Sequence, residues 1–458
     1  MAGPNGAVPS CCSSIGGARR CRDHPKGQGC GPLNGKGTDP YQAGASMSSY
    51  SQVPVPSTDR DAVVDWVREH LGGLAAGDPV ASPIRGGQAA ADAALESFDV
   101  TGYARRRNSV LPLSARGASR LSPYIRHGLL TLPRVYEHVK PGPASDVEKF
   151  RDELLWQEYA RHLYARMGSA TRTSLRFAVR DEYPPGENPW DVEASCLQES
   201  WRELVDTGYL TNQARMWLSS HWTVRHGWGW RDGEDLFFRH LLDGSRAANR
   251  AGWQWTVGAL TGKPYGFSRW QVEKRAPELC RRCPVSDACP IQDWPEDQRP
   301  ESRSMVDPRM RRDDDVEATA GPVAPEVEGR PEAVWITAES LGRDDPALTA
   351  HADLPVVFVF DEALLRRLRL SFARLTFLTE ALADLSSERQ VHTYRGDVSD
   401  ILADVGPVAA TFTPVPGWRR ISTRVTIAAT YPWPWLRRPH GGSITSFTAW
   451  SKSRASRR

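Results

Sequence analysis

The chain has 458 residues, a length that predicts two or three domains with full-sized hydrophobic cores. Its 58 Lys and Arg nearly balance its 55 Asp and Glu, so the formal net charge is +3. This balance excludes a protein that binds nucleic acid through overall basicity alone, and any anionic partner must meet a local basic patch. No apolar run approaches the roughly 20 residues of a membrane-spanning helix, which excludes a polytopic membrane protein.

The N-terminal segment, residues 1–56, is predicted to be a disordered extension because it is rich in Gly, Ser and Pro and lacks periodic apolar positions. Met47 is an alternative initiator, since globular sequence begins soon after it. This segment contains four cysteines, Cys11, Cys12, Cys21 and Cys30. A metal-binding tail is therefore the alternative interpretation. Without a signal-peptide pattern the expected location is cytoplasmic.

Residues 57–294 are predicted to form a helical domain, because apolar side chains recur at helical spacing and no convincing strand pattern intervenes. The expected helices span 61–71, 146–167, 196–206, 211–224, 234–242 and 247–260.

The rest of the chain changes character. Residues 295–332 are rich in Pro and charge and predict a linker. Residues 333–436 alternate short apolar runs with helical patterns, which predicts a small α/β domain with a parallel sheet. Strands are expected at 333–338, 354–360, 392–394, 408–413 and 424–429, with a helix at 364–385. Residues 437–458 carry six basic residues and no acid, and predict a solvated tail or, alternatively, a nucleic-acid contact.

Four sequence blocks stand out in the helical domain. They are GASRLSPY at 117–124, ELLWQE at 153–158, TGYLTNQARM at 207–216 and LDGSRAANRAGWQW at 242–255. In this order the blocks resemble the FAD-binding domain of the photolyase/cryptochrome family. The resemblance implies an all-α FAD-binding photolyase domain.

The C-terminal half also resembles that family, in a different order. Residues 333–336, 344–348, 356–360 and 371–378 look like the start of the family's α/β antenna domain, and 446–452 like its end. The implied architecture is an FAD-binding domain plus a smaller α/β parallel-sheet (Rossmann-like) domain in permuted order. Residues 338–343 replace the R-R-D-L-R signature of the family, so the antenna chromophore is left unknown.

By resemblance, the cofactor is FAD. The residues expected to hold it are Tyr103, Ser119, Arg120, Leu121, Ser122, Arg215, Asp243, Ser245 and Asn249. Arg215 and Asp243 correspond to an ion pair beside the flavin ring, and Asn249 to an asparagine that faces flavin N5. Ala118 and Gln157 depart from the family's Thr and Arg, which predicts weaker flavin retention.

The same resemblance implies a pocket for a cyclobutane pyrimidine dimer flipped out of damaged DNA. The matching residues are Glu153, Trp156, Asn212, Met216 and Trp255, with the aromatic rings stacking on bases and Glu153 acting in catalysis. Packing in the core is the alternative for Trp156, Trp255 and Met216. No His occurs between Thr207 and Met216, which argues against the (6-4) photoproduct as substrate.

Two tryptophans, Trp253 and Trp230, match members of the family's photoreduction chain, with Phe177 or Trp190 near the third position. Together with Asn249 they complete the predicted catalytic set.

A cysteine pattern predicts a metal centre. Cys280, Cys283 and Cys289 form C-x2-C-x5-C, a spacing that suits a [4Fe–4S] cluster. Cys196 is the expected fourth ligand, as in the bacterial iron–sulfur photolyases and cryptochromes that this pattern resembles. Zinc is the main alternative, because four thiolates also suit it.

The functional prediction is a light-driven lyase that splits pyrimidine dimers in DNA. The alternatives are a cryptochrome-like photoreceptor that signals through a protein partner, and a DNA- or RNA-binding flavoprotein without photochemistry. Damaged DNA is the expected partner, with no membrane and a monomeric state.

Overall fold

The computed structural model describes residues 50–179, 190, 192–295 and 306–453. The four N-terminal cysteines, part of the predicted linker and the last five residues lie outside this range. The described residues form one compact unit.

Eighteen α-helices are present among the described residues. They are Arg60–Leu71 (α1), Gln88–Glu96 (α2), Tyr103–Arg106 (α3), Ser122–Arg126 (α4), Leu132–His138 (α5), Ala144–Met167 (α6), Ser195–Thr207 (α7), Asn212–Ser220 (α8), Trp230–His240 (α9), Arg246–Thr256 (α10), Arg269–Arg275 (α11), Val316–Ala320 (α12), Pro346–Ala350 (α13), Glu362–Leu368 (α14), Phe372–Ser386 (α15), Val398–Val405 (α16), Pro416–Ser422 (α17) and Phe447–Lys452 (α18). No helix in the described part of the chain is long and apolar enough to cross a membrane.

Seven strands form one sheet. They are Ser51–Val53 (β1), Glu326–Val327 (β2), Ala333–Ile336 (β3), Val356–Asp361 (β4), Val391–Gly396 (β5), Val408–Thr411 (β6) and Ile427–Tyr431 (β7), in the spatial order β1-β5-β4-β3-β6-β7-β2. The five central strands are parallel, and the two edge strands are antiparallel to their neighbours. The predicted architecture is confirmed: helices come first in the chain, followed by an α/β part with a mostly parallel sheet.

Both edge strands come from segments that the sequence predicted to be unstructured. β1 lies inside the predicted extension over 1–56 and pairs Gln52 with Tyr394. β2 lies inside the predicted linker over 295–332 and pairs Val327 with Ala429. Strands of two or three residues are too short to show an alternating pattern, and these two expectations are corrected for residues 51–53 and 326–327.

The predicted basic tail over 437–458 is wrong for its described part, residues 437–453. Trp450 and Ile444 are fully buried. The Trp450 indole donates to His162 Nδ1 at 2.8 Å, and the Tyr159 hydroxyl donates to the Ile444 carbonyl at 2.9 Å. Because apolar anchors lie between the basic residues, this C-terminal segment packs along α6 instead of extending into solvent.

The helix predicted at 364–385 is divided in two. Arg369 ends α14 in the left-handed region at φ 49°, and the Ser371 side chain caps α15 by accepting from the Arg374 amide. Helix α15 is buried along nearly its whole length and contacts β5 as well as α1, α2 and α9. It therefore lies at the boundary between the sheet and the helical part.

Candidate functional site

A pocket of about 290 Å³ opens between the end of α3 and helices α6, α8 and α11. Its lining residues are Arg107, Asn108, Glu153, Asn212, Gln213, Met216, Tyr265, Trp270, Gln271, Lys274 and Arg275. Three of the five residues predicted to contact a lesion are among them: Glu153, Asn212 and Met216. The structure therefore brings the acidic, amide and thioether members of the predicted set to one cavity.

Glu153 is held by two cations at the pocket wall. Its Oε1 lies 3.2 Å from Arg107 Nε and 3.1 Å from Lys149 Nζ, one helical turn back on α6. On α8, the Asn212 amide nitrogen donates to Met216 Sδ at 3.5 Å, because residues four apart share a helix face. The carboxylate is thus fixed in position while its second oxygen is left for a ligand.

Trp255 reaches the pocket through Tyr265. The two ring centroids are 5.5 Å apart, and Trp255 is 36% exposed. The Tyr265 hydroxyl accepts hydrogen bonds from Gln213 at 3.1 Å and Gln271 at 3.2 Å. Trp255 is therefore an accessible ring next to the pocket, outside its immediate lining.

Trp156 has an unexpected neighbour. The Phe447 ring of the C-terminal segment lies parallel to it, with centroids 4.0 Å apart and planes at 9°. Trp156 remains 40% exposed. One face of a ring that was expected to stack on a base is therefore occupied by a side chain from the segment predicted to be a solvated tail.

The rim of the pocket carries positive charge that the sequence analysis did not single out. Arg107, Lys274 and Arg275 line the cavity, and Trp270 is 62% exposed beside them. Lys274 Nζ lies 4.9 Å from the Trp270 ring centroid, a cation–π geometry. The four-residue spacing of Trp270 and Lys274 was a readable signal, since it places them on one face of α11.

Residues 117–122, which include four residues predicted to hold FAD, form a loop that leads into α4. Arg120 adopts a left-handed conformation with φ 58°, which is uncommon for a residue with a side chain. The Ser119 hydroxyl accepts from the Leu121 amide at 3.4 Å, and Ser122 is the first residue of α4. The Arg120 guanidinium lies 5.4 Å from the ring of buried Tyr209. The loop is a compact, strained turn that presents Ser119 and Arg120 together.

Tyr103, predicted to hold FAD, is buried. Its ring meets Phe150 edge-on at 4.9 Å between centroids. Burial raises the pKa of the Tyr103 hydroxyl, with Glu153 adding to the effect. Tyr103 therefore packs in the core between α3 and α6, and its place at a cofactor stays a prediction.

The predicted ion pair beside the flavin ring is present. Arg215 donates to Asp243 Oδ2 at 2.8 Å, and Asp243 is largely buried. Asp243 Oδ1 is also buried and has no hydrogen-bond partner. A buried carboxylate oxygen without a donor is costly. The donor set of a bound flavin ring supplies the kind of N–H that this oxygen lacks, so these residues fit the predicted cofactor.

Asn249 lies on α10, whose first turn is capped by Ser245. Its amide nitrogen donates to the carbonyl and to Oε1 of Glu234, both at 3.0 Å. Glu234 is itself paired with Arg246 and Arg250, and burial raises its pKa in spite of them. The amide is thereby oriented, and its carbonyl oxygen is the end left for a ligand.

Trp253 belongs to a cluster of buried rings one turn beyond Asn249 on α10. Its ring neighbours are Phe237 at 5.0 Å and Trp190 and Trp222, each at 6.4 Å between centroids. Trp222 continues to the half-buried Trp228 at 5.3 Å. Of the two candidates for a third ring, the structure places Trp190 beside Trp253, whereas Phe177 packs against Gly262. Trp230 is buried on α9, and no ring contact brings it to Trp253 among the described residues.

The four predicted metal ligands lie near one another. Cys196 is buried on α7, and Cys280, Cys283 and Cys289 are half-buried in the loop after α11. The Ser195 amide donates to Cys283 Sγ at 3.4 Å, which joins the loop to α7. Burial raises the pKa of the Cys196 thiol, and the charges of the other three cysteines raise it further. Within the described ranges, no group of three or more His, Cys, Asp or Glu side chains is placed to hold a metal ion.

Comparison with known proteins agrees with the FAD-related pattern of the site. Residues 150–272 match the family described as the FAD binding domain of DNA photolyase. The deoxyribodipyrimidine photo-lyase of Thermus thermophilus is 33% identical over 202 residues, covering 39% of this chain and 44% of that protein. The Cryptochrome DASH of Gloeobacter violaceus is 23% identical over 242 residues, covering 49% and 47%.

One match to a solved structure covers less than half of the chain. A class III photolyase from Agrobacterium tumefaciens has a TM-score of 0.37 and 21% identity, and the match covers 43% of this chain and 44% of that one. The chain spans less than half the length of each of these relatives.

The matched segment contains most of the site, including Glu153, Arg215 and Asn249. Over this segment the chain is similar to the FAD binding domain of DNA photolyase.

Proposed function

We propose that the protein binds FAD and splits cyclobutane pyrimidine dimers in DNA with light. The observation that carries this proposal is the pocket in which Glu153, Asn212 and Met216 meet under a basic rim. Relatives named deoxyribodipyrimidine photo-lyase support the same reaction class.

The rim and the rings recognise the nucleic acid. Arg107, Lys274 and Arg275 supply the local positive patch that a nearly neutral chain needs to hold phosphates. Trp255 and Trp270 offer exposed aromatic faces on which bases stack. Glu153 and Asn212 then reach the polar edges of a base that has left the duplex.

The other residues hold the cofactor. Bound FAD in its reduced form supplies the excited electron donor of the reaction. Arg215 fixes Asp243, whose unpartnered Oδ1 would accept a hydrogen bond from the flavin ring, and Glu234 holds the Asn249 amide, which would leave its carbonyl oxygen for the flavin. The buried cluster around Trp253 excludes water from that side and offers stepwise routes for an electron to the surface.

Binding tests the pocket assignment directly. The FAD-loaded protein is titrated with a labelled oligothymidylate that contains one dimer and with the undamaged strand. We expect tighter binding of the damaged strand, with the preference lost in Asn212→Ala and Trp255→Ala while FAD content is unchanged. Equal affinity for both strands in the FAD-loaded wild type would remove the basis of the proposal.

A cryptochrome-like photoreceptor is the second candidate, and one observation favours it. Phe447 occupies one face of Trp156, a ring that was expected to stack on a base. A Trp156 ring that stays covered by Phe447 is not free to stack on that face, and light-driven change at the flavin would then act on a protein partner instead. A relative of the Cryptochrome DASH type is consistent with either role.

We also propose that Cys196, Cys280, Cys283 and Cys289 ligate a [4Fe–4S] cluster. The C-x2-C-x5-C spacing of three of them supports this ligand set. So do the hydrogen bond from the Ser195 amide to Cys283 and the packing of Cys280 and Cys289 against the buried cluster that contains Cys196. A single zinc ion would draw the four sulfurs to roughly 4 Å from each other, since Zn–S bonds are about 2.3 Å.

Purification without oxygen followed by iron, sulfide and zinc assays tests the cluster. We expect iron and sulfide in equal amounts and their loss in Cys283→Ser. The matched control is Ser286→Ala in the same loop. Zinc without iron would replace the cluster with a structural zinc site.

A further inference from the structure

The loop between α9 and α10 carries residues of the proposed flavin site. Asp243, which pairs with Arg215, lies in this loop, and Ser245 at its end caps α10. The last carbonyls of an α-helix have no partner within the helix. The carbonyls of Phe238 and Arg239, at the end of α9, and that of Gly244 in the loop accept hydrogen bonds from groups outside the loop.

Arg374 of α15 supplies two of those donors. Its guanidinium donates to the carbonyls of Phe238 and, at 2.6 Å, of Gly244, and it lies 4.4 Å from the Phe238 ring centroid. Arg374 is only 4% exposed. A Cβ on Gly244 would clash with Arg374 Nη1, so the loop backbone and the guanidinium are in direct contact.

Neighbouring residues complete the support of the loop. The Ser371 amide, at the start of α15, donates to the Arg239 carbonyl at 3.0 Å. Arg126 Nε donates to the Gly244 carbonyl at 2.9 Å, and the same guanidinium pairs with Glu339 after β3 at 2.7 Å. The α/β part of the chain thus reaches both ends of the loop, directly through α15 and indirectly through Arg126.

We propose that Arg374 is a positioning residue of the flavin site and that it makes FAD retention depend on the α/β domain. The planar fork of arginine bridges two carbonyls at once and fixes the backbone that carries Asp243. The α/β domain then has a role in cofactor binding apart from any antenna pigment. This inference rests on the proposed function only in taking FAD as the ligand.

Substitution of Arg374 tests the proposal against a matched control. Arg389 is a half-buried arginine of the α/β domain that donates to the carbonyls of Leu348, His351 and Leu354. None of these three carbonyls belongs to the loop between α9 and α10. We expect Arg374→Met to raise the FAD dissociation constant at least tenfold and Arg374→Lys to raise it less. Arg389→Met removes a similar set of bonds and is expected to stay within twofold of wild type.

A second readout uses the protein without FAD. Hydrogen exchange of the amides in residues 239–246 is expected to be faster in Arg374→Met and unchanged in Arg389→Met. Gly244→Ala displaces the same guanidinium without removing it and serves if Arg374→Met does not fold. The same rise in the dissociation constant for the Arg374 and Arg389 variants, or unchanged loop exchange in Arg374→Met, would overturn the proposal.

The two proposals fail in different ways. If the wild-type protein binds no FAD, the proposed function fails while the exchange measurement still decides the role of Arg374. If the wild type binds FAD and Arg374→Met binds it equally well, only the positioning role is lost.

Discussion

Removal of the Phe447 ring is expected to strengthen binding of dimer-containing DNA. Phe447 covers one face of Trp156 with ring centroids 4.0 Å apart, and a flipped base that stacks there must displace it. An aromatic pair contributes about 0.5–1.5 kcal/mol beyond its area burial. If the stacking contact must break when DNA binds, Phe447→Ala removes that free-energy cost from binding. The change corresponds to roughly 2- to 13-fold tighter binding.

The assay is fluorescence anisotropy with a labelled oligothymidylate that carries one dimer, in the dark and at fixed salt. Thr448→Ala is the control, because Thr448 is an exposed neighbour on the same helix, α18. Trp450, which anchors the segment in the core, stays in place in both variants. Weaker binding by Phe447→Ala would refute the reasoning and make Phe447 part of the binding platform.

Three further predictions concern the pocket, a buried glutamate of α6 and the ring cluster. Glu153→Gln is expected to weaken binding of the damaged strand roughly 13- to 160-fold, because hydrogen bonds to charged groups contribute about 1.5–3 kcal/mol; unchanged affinity in the same titration would remove Glu153 from the site. Burial raises the pKa of Glu158 to about 7, above its unfolded value. Stability is therefore expected to fall as pH rises from about 4.5 to about 7. Glu158→Gln should raise Tm more at pH 8 than at pH 5, unlike exposed Glu148→Gln on the same helix; an equal gain at both pH values would contradict it. Trp253→Phe is expected to slow light-driven bleaching of the flavin absorbance by a thiol reductant at least tenfold, with Trp418→Phe in the sheet domain as the control; equal rates would exclude Trp253 from the electron route.

The helical periodicity of apolar residues made the main helices predictable. The helix predicted from 146 to 167 is observed as Ala144–Met167, and the one predicted from 196 to 206 as Ser195–Thr207. Apolar stripes and capping residues such as Thr211 are local signals, so the sequence alone contains them. The parallel strands were found for the same reason, since buried runs such as Val356–Asp361 are almost continuously apolar.

What the sequence could not show depends on contacts between distant segments. The edge strand Ser51–Val53 exists through its pairing with β5, more than 300 residues later in the chain. Trp450 and Phe447 acquire their roles only when the C-terminal segment meets α6. The composition of this segment shows its basic residues, but it does not show that Trp450 and Phe447 pack against side chains of α6.

The candidate site also contains residues that local motifs identified and residues that only the fold could identify. The motifs identified Glu153, Asn212 and Met216, and the fold places them around one pocket. The basic rim and Arg374 were missed because their roles depend on residues that are close only in the folded chain. Arg374, for example, is far in sequence from the Gly244 carbonyl to which it donates. Such residues carry no local pattern.

One measurement tests the central claim most directly. The FAD-loaded, reduced protein is mixed with single-stranded DNA that contains pyrimidine dimers, illuminated with blue light, and assayed for restored thymine. The proposed function predicts light-dependent restoration with many turnovers per protein and none in the dark. No restored thymine from protein whose FAD is intact and reduced would contradict it.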